Sequence, residues 1–450
     1  MNTEIKARGI IRSADLERMR LDFGETSGSR LAMNAICKTS VNKIAMNRAA
    51  VARANHVFSH MVKAGAATSQ ESSGRCWMFA GLNTFRMAAA EKMNMEDFEL
   101  SQNYTMFWDK LEKANYFLEN ILKTLNEETD GRLISWLLQS PIQDGGQWDM
   151  FVNIVEKYGV VPKTVMPETE SSSSTGAMNN LITTKLRQDA SSLRKAHDQG
   201  APLETLEARK ENMVSEIYRM LCIHLGEPPV EFYWQWRDKD KALHQDGVLT
   251  PHEFLGNHIP VDLDSMLCLI NCPTLEYNRL YTVDYLGNVA GGHIVRYLNV
   301  EVPVMKAAAL SMIKEERPVW FGCDVGKSFD RDLGLMDAEL YDYTGLYGTD
   351  FRMSKSERLD YGHSQMNHAM VFTGVDLDQN GNPAKWRVEN SWGDKGGEKG
   401  FMIMTDAWFD EYNYEVVVDK KHLEQSFLDI LTTDPIHLPP WHPMGSLASF

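Results

Sequence analysis

The chain has no run of about eighteen apolar residues, the length a helix needs to cross a hydrocarbon core, so a conventional membrane span is excluded. Its start, MNTEIKARGIIRSADLERMR, carries no uninterrupted apolar stretch after its charges, and no secretory signal is expected. Cysteine is sparse: six are scattered over 450 residues without a paired framework, which fits reduced thiols in the cytoplasm and argues against a disulfide scaffold. Positive charge is short as well. The formal net charge is −16 and no long basic run offsets it, so phosphate backbones are repelled and nucleic acid is not an expected partner. Gly-rich pieces at 144–146 and 291–293 lack a phosphate-loop pattern. Cys268 and Cys272 stand in MLCLINCPTL, an apolar strand pattern ending at Pro273, with no second pair to complete a zinc site. Neither metal nor cofactor is expected, and no internal repeat is present.

What the chain does have is a cysteine in a telling place. The segment QESSGRCWMFAGLN sets Gln70 six residues before Cys76. From Trp77 onward, WMFAGLNTFRMAAAEKM is rich in helix formers, with Phe79, Leu82, Phe85 and Met87 at roughly helical spacing, so Cys76 is expected at the positive end of a helix. A thiol near pKa 8.5 is mostly protonated at neutral pH, and a helix N-terminus with a neighbouring imidazolium favours the thiolate. Ser72, Ser73 and Gly74 suit a tight turn that brings backbone N–H groups toward a substrate carbonyl. Gln70 can then turn its amide toward a developing oxyanion beside the Cys76 N–H, a donor worth about 3 kcal/mol in comparable sites.

The histidine comes some three hundred residues later. His368 opens the apolar run HAMVFTGV, and Asn390 and Trp392 close the run AKWRVENSW. Asn380-Gly381 between them is a hairpin signal, so the two runs are expected to pair as antiparallel strands. That pairing sets Asn390 against one imidazole nitrogen, fixing the tautomer so that the other nitrogen faces the thiol, with Trp392 covering the hydrogen bond. Each residue alone has a plainer reading: a core histidine, a turn asparagine, a surface glutamine, a small buried cysteine. His363 competes with His368 but lies in a Gly/Ser/Gln-rich stretch away from a strand start. The conjunction, in this order, points to a cysteine-nucleophile hydrolase.

The same segments resemble the papain superfamily, and their wording is similar to its bleomycin hydrolase and bacterial aminopeptidase C branch. Further matching stretches are SQNYTMFWDKLEKANYFLEN, DGGQWDM, MPETESSSSTGAMN, PVWFGCDVGK and the terminal LPPWHPMGSLASF, so the likeness runs nearly end to end. The resemblance implies an α+β fold, a helical lobe plus a β-barrel-like lobe with helical insertions and a C-terminal arm lying in the cleft. It implies a cytosolic thiol aminopeptidase, assembled as a homohexamer, that acts on peptides with a free N-terminus. By the same resemblance Gly145 and Gly146 line the cleft, and the carboxylate of Phe450 meets the substrate's α-amino group. The tail departs from the branch, which commonly ends MGALA or one residue longer; here Ser446, Ser449 and Phe450 alter it, which leaves self-trimming or a deeper-seated carboxylate as alternatives. Pro439, Pro440, Trp441, Pro443 and Leu447 are too apolar and rigid for idle exposure, so a docked arm is expected.

Five regions follow from the pattern: an N-terminal arm at 1–65, the helical lobe with the nucleophile at 66–170, an inserted helical subdomain at 171–250, a β-rich lobe at 251–425 and the C-terminal arm at 426–450. A Ser-rich loop is expected at 171–174 and a charged helical hairpin at 193–225, broken near Gly200 and Pro202. Two other functional readings remain: an endopeptidase of the same chemistry, and a catalytically idle scaffold.

Overall fold

In the second half of the chain short apolar runs become strands because they are covered on both faces, as a buried sheet requires. The computed structural model describes residues 9–26 and 28–448, so Phe450 lies outside the described residues. The strands in chain order are β1 His60–Met61, β2 Phe232–Arg237, β3 Leu243–Leu249, β4 Met266–Ile270, β5 Arg279–Val283, β6 Tyr297–Asn299 and β7 Val319–Cys323. They continue with β8 Phe329–Asp330, β9 Leu335–Met336, β10 His368–Leu377, β11 Pro383–Glu389, β12 Phe401–Thr405, β13 Asn413–Asp419 and β14 Ile436–Leu438. Among the described residues one sheet runs β14-β5-β6-β4-β13-β7-β10-β11-β12-β9-β8, with β1 added on β10.

The β10–β11 hairpin forms where Asn380-Gly381 predicts it. Asp378 caps the turn by accepting from the Asn380 and Asn382 backbone N–H groups, and Gly381 takes the left-handed φ of +82°. On its other edge β10 pairs antiparallel with β7, placing His368 directly across from Cys323.

The helix Cys76–Lys92 is buried almost all round, wedged between this sheet and the helix Trp148–Tyr158. Trp320 of β7 donates its Nε1–H to the Trp77 carbonyl at 3.0 Å, tying the head of the helix to the sheet. On the other side Gly81 lets Phe151 approach so closely that a Cβ there would sit 2.8 Å from its ring. The helices Gln102–Lys123, Gly176–Asp198 and Leu203–Leu225 pack together behind this wedge.

Two local expectations change. Residues Glu170–Ser173 form one helical turn, because Thr169 and Ser172 cap each other reciprocally through side chain and backbone. The stretch expected to be wholly helical also contains the antiparallel pair β2–β3, whose alternation buries Phe232 and Trp234 on one face. In contrast the helices Ser13–Glu25 and Ser29–Ile36 bury no residue and expose Leu16, Met19, Leu21, Phe23, Leu31 and Met33. No helix among the described residues is long and apolar enough to cross a membrane.

The C-terminal arm docks. β14 pairs parallel with β5, and Trp441 is stacked by the Arg132 guanidinium 3.7 Å above its ring. Met444 and Ala448 are buried.

Candidate active site

Cys76 is the first residue of its helix and is fully buried, so its sulfur lies at the positive end of the helix dipole. The turn before it is fixed by side chains. Ser73 Oγ donates to the Gln70 carbonyl at 2.6 Å and accepts from Arg75 Nε at 2.9 Å. The Arg75 guanidinium, itself buried, makes a bidentate pair with Glu168 at 3.1 and 2.8 Å.

Gln70 is held from both sides of its amide. Its Nε2 donates to the Ser73 carbonyl at 2.5 Å, while its Oε1 accepts from Ser391 Oγ at 2.6 Å. Its backbone N–H donates to the Ser391 carbonyl at 2.8 Å, and Gly393 N–H donates to Thr68 at 2.8 Å, so the loop at 68–70 is laced to the loop after β11. Sequence order alone hides this lacing, since the two loops are more than three hundred residues apart.

On the sheet side, His368 Nε2 donates to Asn390 Oδ1 at 2.9 Å. The same oxygen accepts the Ser391 backbone N–H at 2.8 Å, which fixes which end of the Asn390 amide faces the ring. The imidazole proton therefore sits on Nε2, leaving Nδ1 as the basic nitrogen. Trp392 covers the ring at a centroid distance of 5.1 Å, and Arg331 lies over the outer face of that indole at 4.6 Å. Burial pushes the imidazole down to about 4, with the Asn390 hydrogen bond opposing that shift. A lone imidazolium is disfavoured in so dry a pocket. The thiol of Cys323, across the ladder from His368, is pushed well up by burial and by the nearby Asp324 and Cys76. His363 is exposed, in the loop before β10.

Gly146 packs against the Trp77 indole, with Gly145 beside it in the chain. Trp77 Nε1 donates to the Asp144 carbonyl at 2.6 Å, and a Cβ on Gly146 would lie 2.5 Å from the indole, so only glycine lets the backbone pass there. Lys113 Nζ donates to the Gly145 carbonyl at 2.6 Å and to Asp109 at 2.7 Å; burial lowers this ammonium and Asp109 opposes the shift. The tail seats on this wall. Gly146 and Ala448 form an antiparallel bridge, Gln147 Nε2 donates to the Ser446 carbonyl at 2.7 Å, and Ser446 Oγ donates to the Met366 carbonyl at 2.5 Å.

Several residues of the site have no signal in the linear sequence. Arg75, Glu168, Asp144, Ser391 and the ion pair of Arg86 with Glu389, at 2.6 Å, are ordinary polar residues until their partners meet in space. Glu389 is the residue before Asn390, and Asn83 also donates to it at 3.1 Å. Among the described residues no group of three or more His, Cys, Asp or Glu is arranged to hold a metal ion. Cys268 lies 4.0 Å from Glu415 and Cys272 lies 3.2 Å from the Thr274 hydroxyl, each in its own apolar surroundings.

The chain is similar to known proteins over nearly its whole length. Aminopeptidase C of Listeria innocua is 47% identical over 435 residues, covering 96% of this chain and 98% of that protein. Human bleomycin hydrolase is 46% identical over 429 residues, covering 93% of this chain and 94% of its own. The crystal structure of PepW from Lactobacillus rhamnosis HN001 superposes with a TM-score of 0.96 at 47% identity, covering 98% of this chain and all of that one. With residues 10–445 matching its pattern, the chain belongs to the Peptidase C1-like family.

Proposed function

We propose that the chain is a cysteine-type aminopeptidase that removes N-terminal residues from peptides through an acyl-enzyme. Cys76 is the nucleophile, His368 the acid and base, Asn390 its orienter and Gln70 an oxyanion donor. The apolar pocket disfavours imidazolium alone, so the proton passes to His368 Nδ1 as the thiolate forms beside it and the helix N-terminus shares the negative charge. The thiolate attacks the carbonyl carbon, and the oxyanion takes the Cys76 N–H together with one N–H of Gln70, whose amide nitrogen has two and gives the other to Ser73. The imidazolium then protonates the leaving amine. Water, deprotonated by the neutral ring, releases the acyl group and restores the thiol.

The observation that carries the exopeptidase reading is the bridge between Gly146 and Ala448. The tail takes the main-chain edge that an extended substrate needs on that side of the cleft, so a substrate begins where the tail ends, and its ammonium meets the tail's carboxylate. Free-amine peptides are therefore cleaved and N-acetylated ones are not. Deleting residues 447–450 is expected to confer cleavage of acetylated peptides, and labelling by a thiol-directed epoxide is expected to vanish in Cys76→Ala. Efficient cleavage of acetylated peptides by the intact chain overturns the exopeptidase reading and leaves an endopeptidase; absence of labelling leaves an idle scaffold.

The location is cytoplasmic and the assembly a homohexamer. The sparse cysteines support the first, and the apolar side chains left uncovered on the helices Ser13–Glu25 and Ser29–Ile36 support the second. The net charge of −16 is against a nucleic-acid partner.

A further inference from the structure

Asp144 is a buried carboxylate with an unusual set of partners. Its Oδ1 accepts from Lys110 Nζ at 2.6 Å and Asn179 Nδ2 at 2.8 Å, and its Oδ2 accepts from Thr175 Oγ1 at 2.5 Å and from the backbone N–H of Gly74 at 2.9 Å. Burial alone would raise this carboxyl, but the Lys110 ammonium and the hydrogen bonds outweigh it and hold the group well below the usual carboxylate range.

The Gly74 N–H belongs to the same peptide unit as the Ser73 carbonyl, and that carbonyl receives the Gln70 amide at 2.5 Å. One edge of a single rigid plane thus touches Asp144 while the opposite edge holds the oxyanion glutamine. Lys110 is fully buried on the helix Gln102–Lys123, so the far end of this relay is anchored in the helical core. We infer that Asp144 is a positioning residue for the oxyanion hole: through Gly74 it sets the Ser73–Gly74 peptide plane and, through that plane, the orientation of the Gln70 amide.

This inference rests on the cysteine-peptidase reading and deepens it. It separates Asp144 from a residue that merely stabilises the fold, because a tilted peptide plane weakens the oxyanion site while leaving the sulfur as accessible and as reactive as before. Peptide aldehydes, which form a hemithioacetal with Cys76, need the oxyanion site; alkylation by iodoacetamide does not.

The test replaces the ion pair as a unit, so that no buried charge is orphaned. In Lys110→Met/Asp144→Leu, kcat and aldehyde affinity are expected to fall at least about ten-fold, with KM and the rate of Cys76 alkylation held within about three-fold of the parent. In Lys110→Met/Asp144→Asn the amide oxygen can still accept from Gly74, and most of the loss is expected to be recovered. In a Gln70→Ala background the leucine change should cost less than about two-fold more, because the group it positions is gone. Thr175→Val, a milder lesion at the same oxygen, should lower aldehyde affinity about three-fold without slowing alkylation, and it serves where the leucine variant does not fold. Equal losses in alkylation and aldehyde binding, an undiminished loss in the Gln70→Ala background, or no loss at all would overturn the inference. If the parent binds aldehyde but hydrolyses no peptide, the peptidase reading fails and the Asp144 comparison still stands.

Discussion

On the wall that carries Cys76, the turn from Gln70 to Arg75 and the segment from Gln143 to Gly145 are pinned by buried charge: Arg75 on Glu168, Lys110 on Asp144, and Lys113 on Asp109 and two carbonyls. On the facing wall His368 and Asn390 ride a hairpin held by ladder hydrogen bonds and stacked aromatics, with Phe321 and Phe372 3.8 Å apart and Phe372, Trp386 and Phe409 in mutual contact. The difference follows from backbone bookkeeping. A strand satisfies its own N–H and C=O groups through its neighbours, and apolar packing then suffices; an irregular loop cannot, and has to borrow side chains as partners. Charged partners can hold a backbone segment firmly, but losing one member strands the other in a dry interior.

The largest expected effect falls where the two walls meet. Arg86, on the helix Cys76–Lys92, grips Glu389, which burial pushes up and the arginine opposes, one residue before Asn390. Arg86→Met leaves that carboxylate buried without its cation and should cost about 3–5 kcal/mol in urea unfolding, whereas the paired change Arg86→Met/Glu389→Leu should recover most of the loss. If the single change proves harmless, buried charge is not what holds the helical wall.

A pH experiment sharpens the comparison from the apolar side. His368 has its pKa lowered in the folded state, so its neutral form is favoured by folding: the contribution is present above the unfolded value near 6.5 and is lost as pH falls toward about 4. Across that window the parent should lose on the order of 3 kcal/mol that His368→Gln does not. Parallel stability curves for the two proteins would show that the sheet-side pocket is wetter than its burial indicates.

The smallest effect concerns the arm. Removing the stacking partner of Trp441 with Arg132→Ala should cost about 0.5–1 kcal/mol and raise cleavage of acetylated peptides only slightly, to be read against the tail deletion.

The two walls also differ in how far they are legible in sequence. The hairpin, its turn at Asn380-Gly381 and the start of β10 at His368 follow from local pattern, because a strand's partner is its neighbour along the chain. The helix Cys76–Lys92 is legible for the same reason, down to Cys76 at its head. The charged pins are not. Asp144 lies seventy residues from Gly74, and Arg75 lies ninety-three from Glu168, so no periodicity links them. The β2–β3 pair was hidden by its setting between helices, although its alternating Phe232 and Trp234 carry the signal. The seat of the tail was legible as apolar and rigid, but its register on Gly146 depends on three dimensions.

That register has a consequence for the reach of the tail. At Gly146 the tail is gripped main chain to main chain. Buried Met444 and Ala448 and the Ser446 hydroxyl fix the tail's side chains around that bridge, and each residue gained or lost beyond it slides the chain end by about 3.3 Å. Under the proposed function, the number of residues after that bridge sets where a substrate begins, like the notches on a ruler.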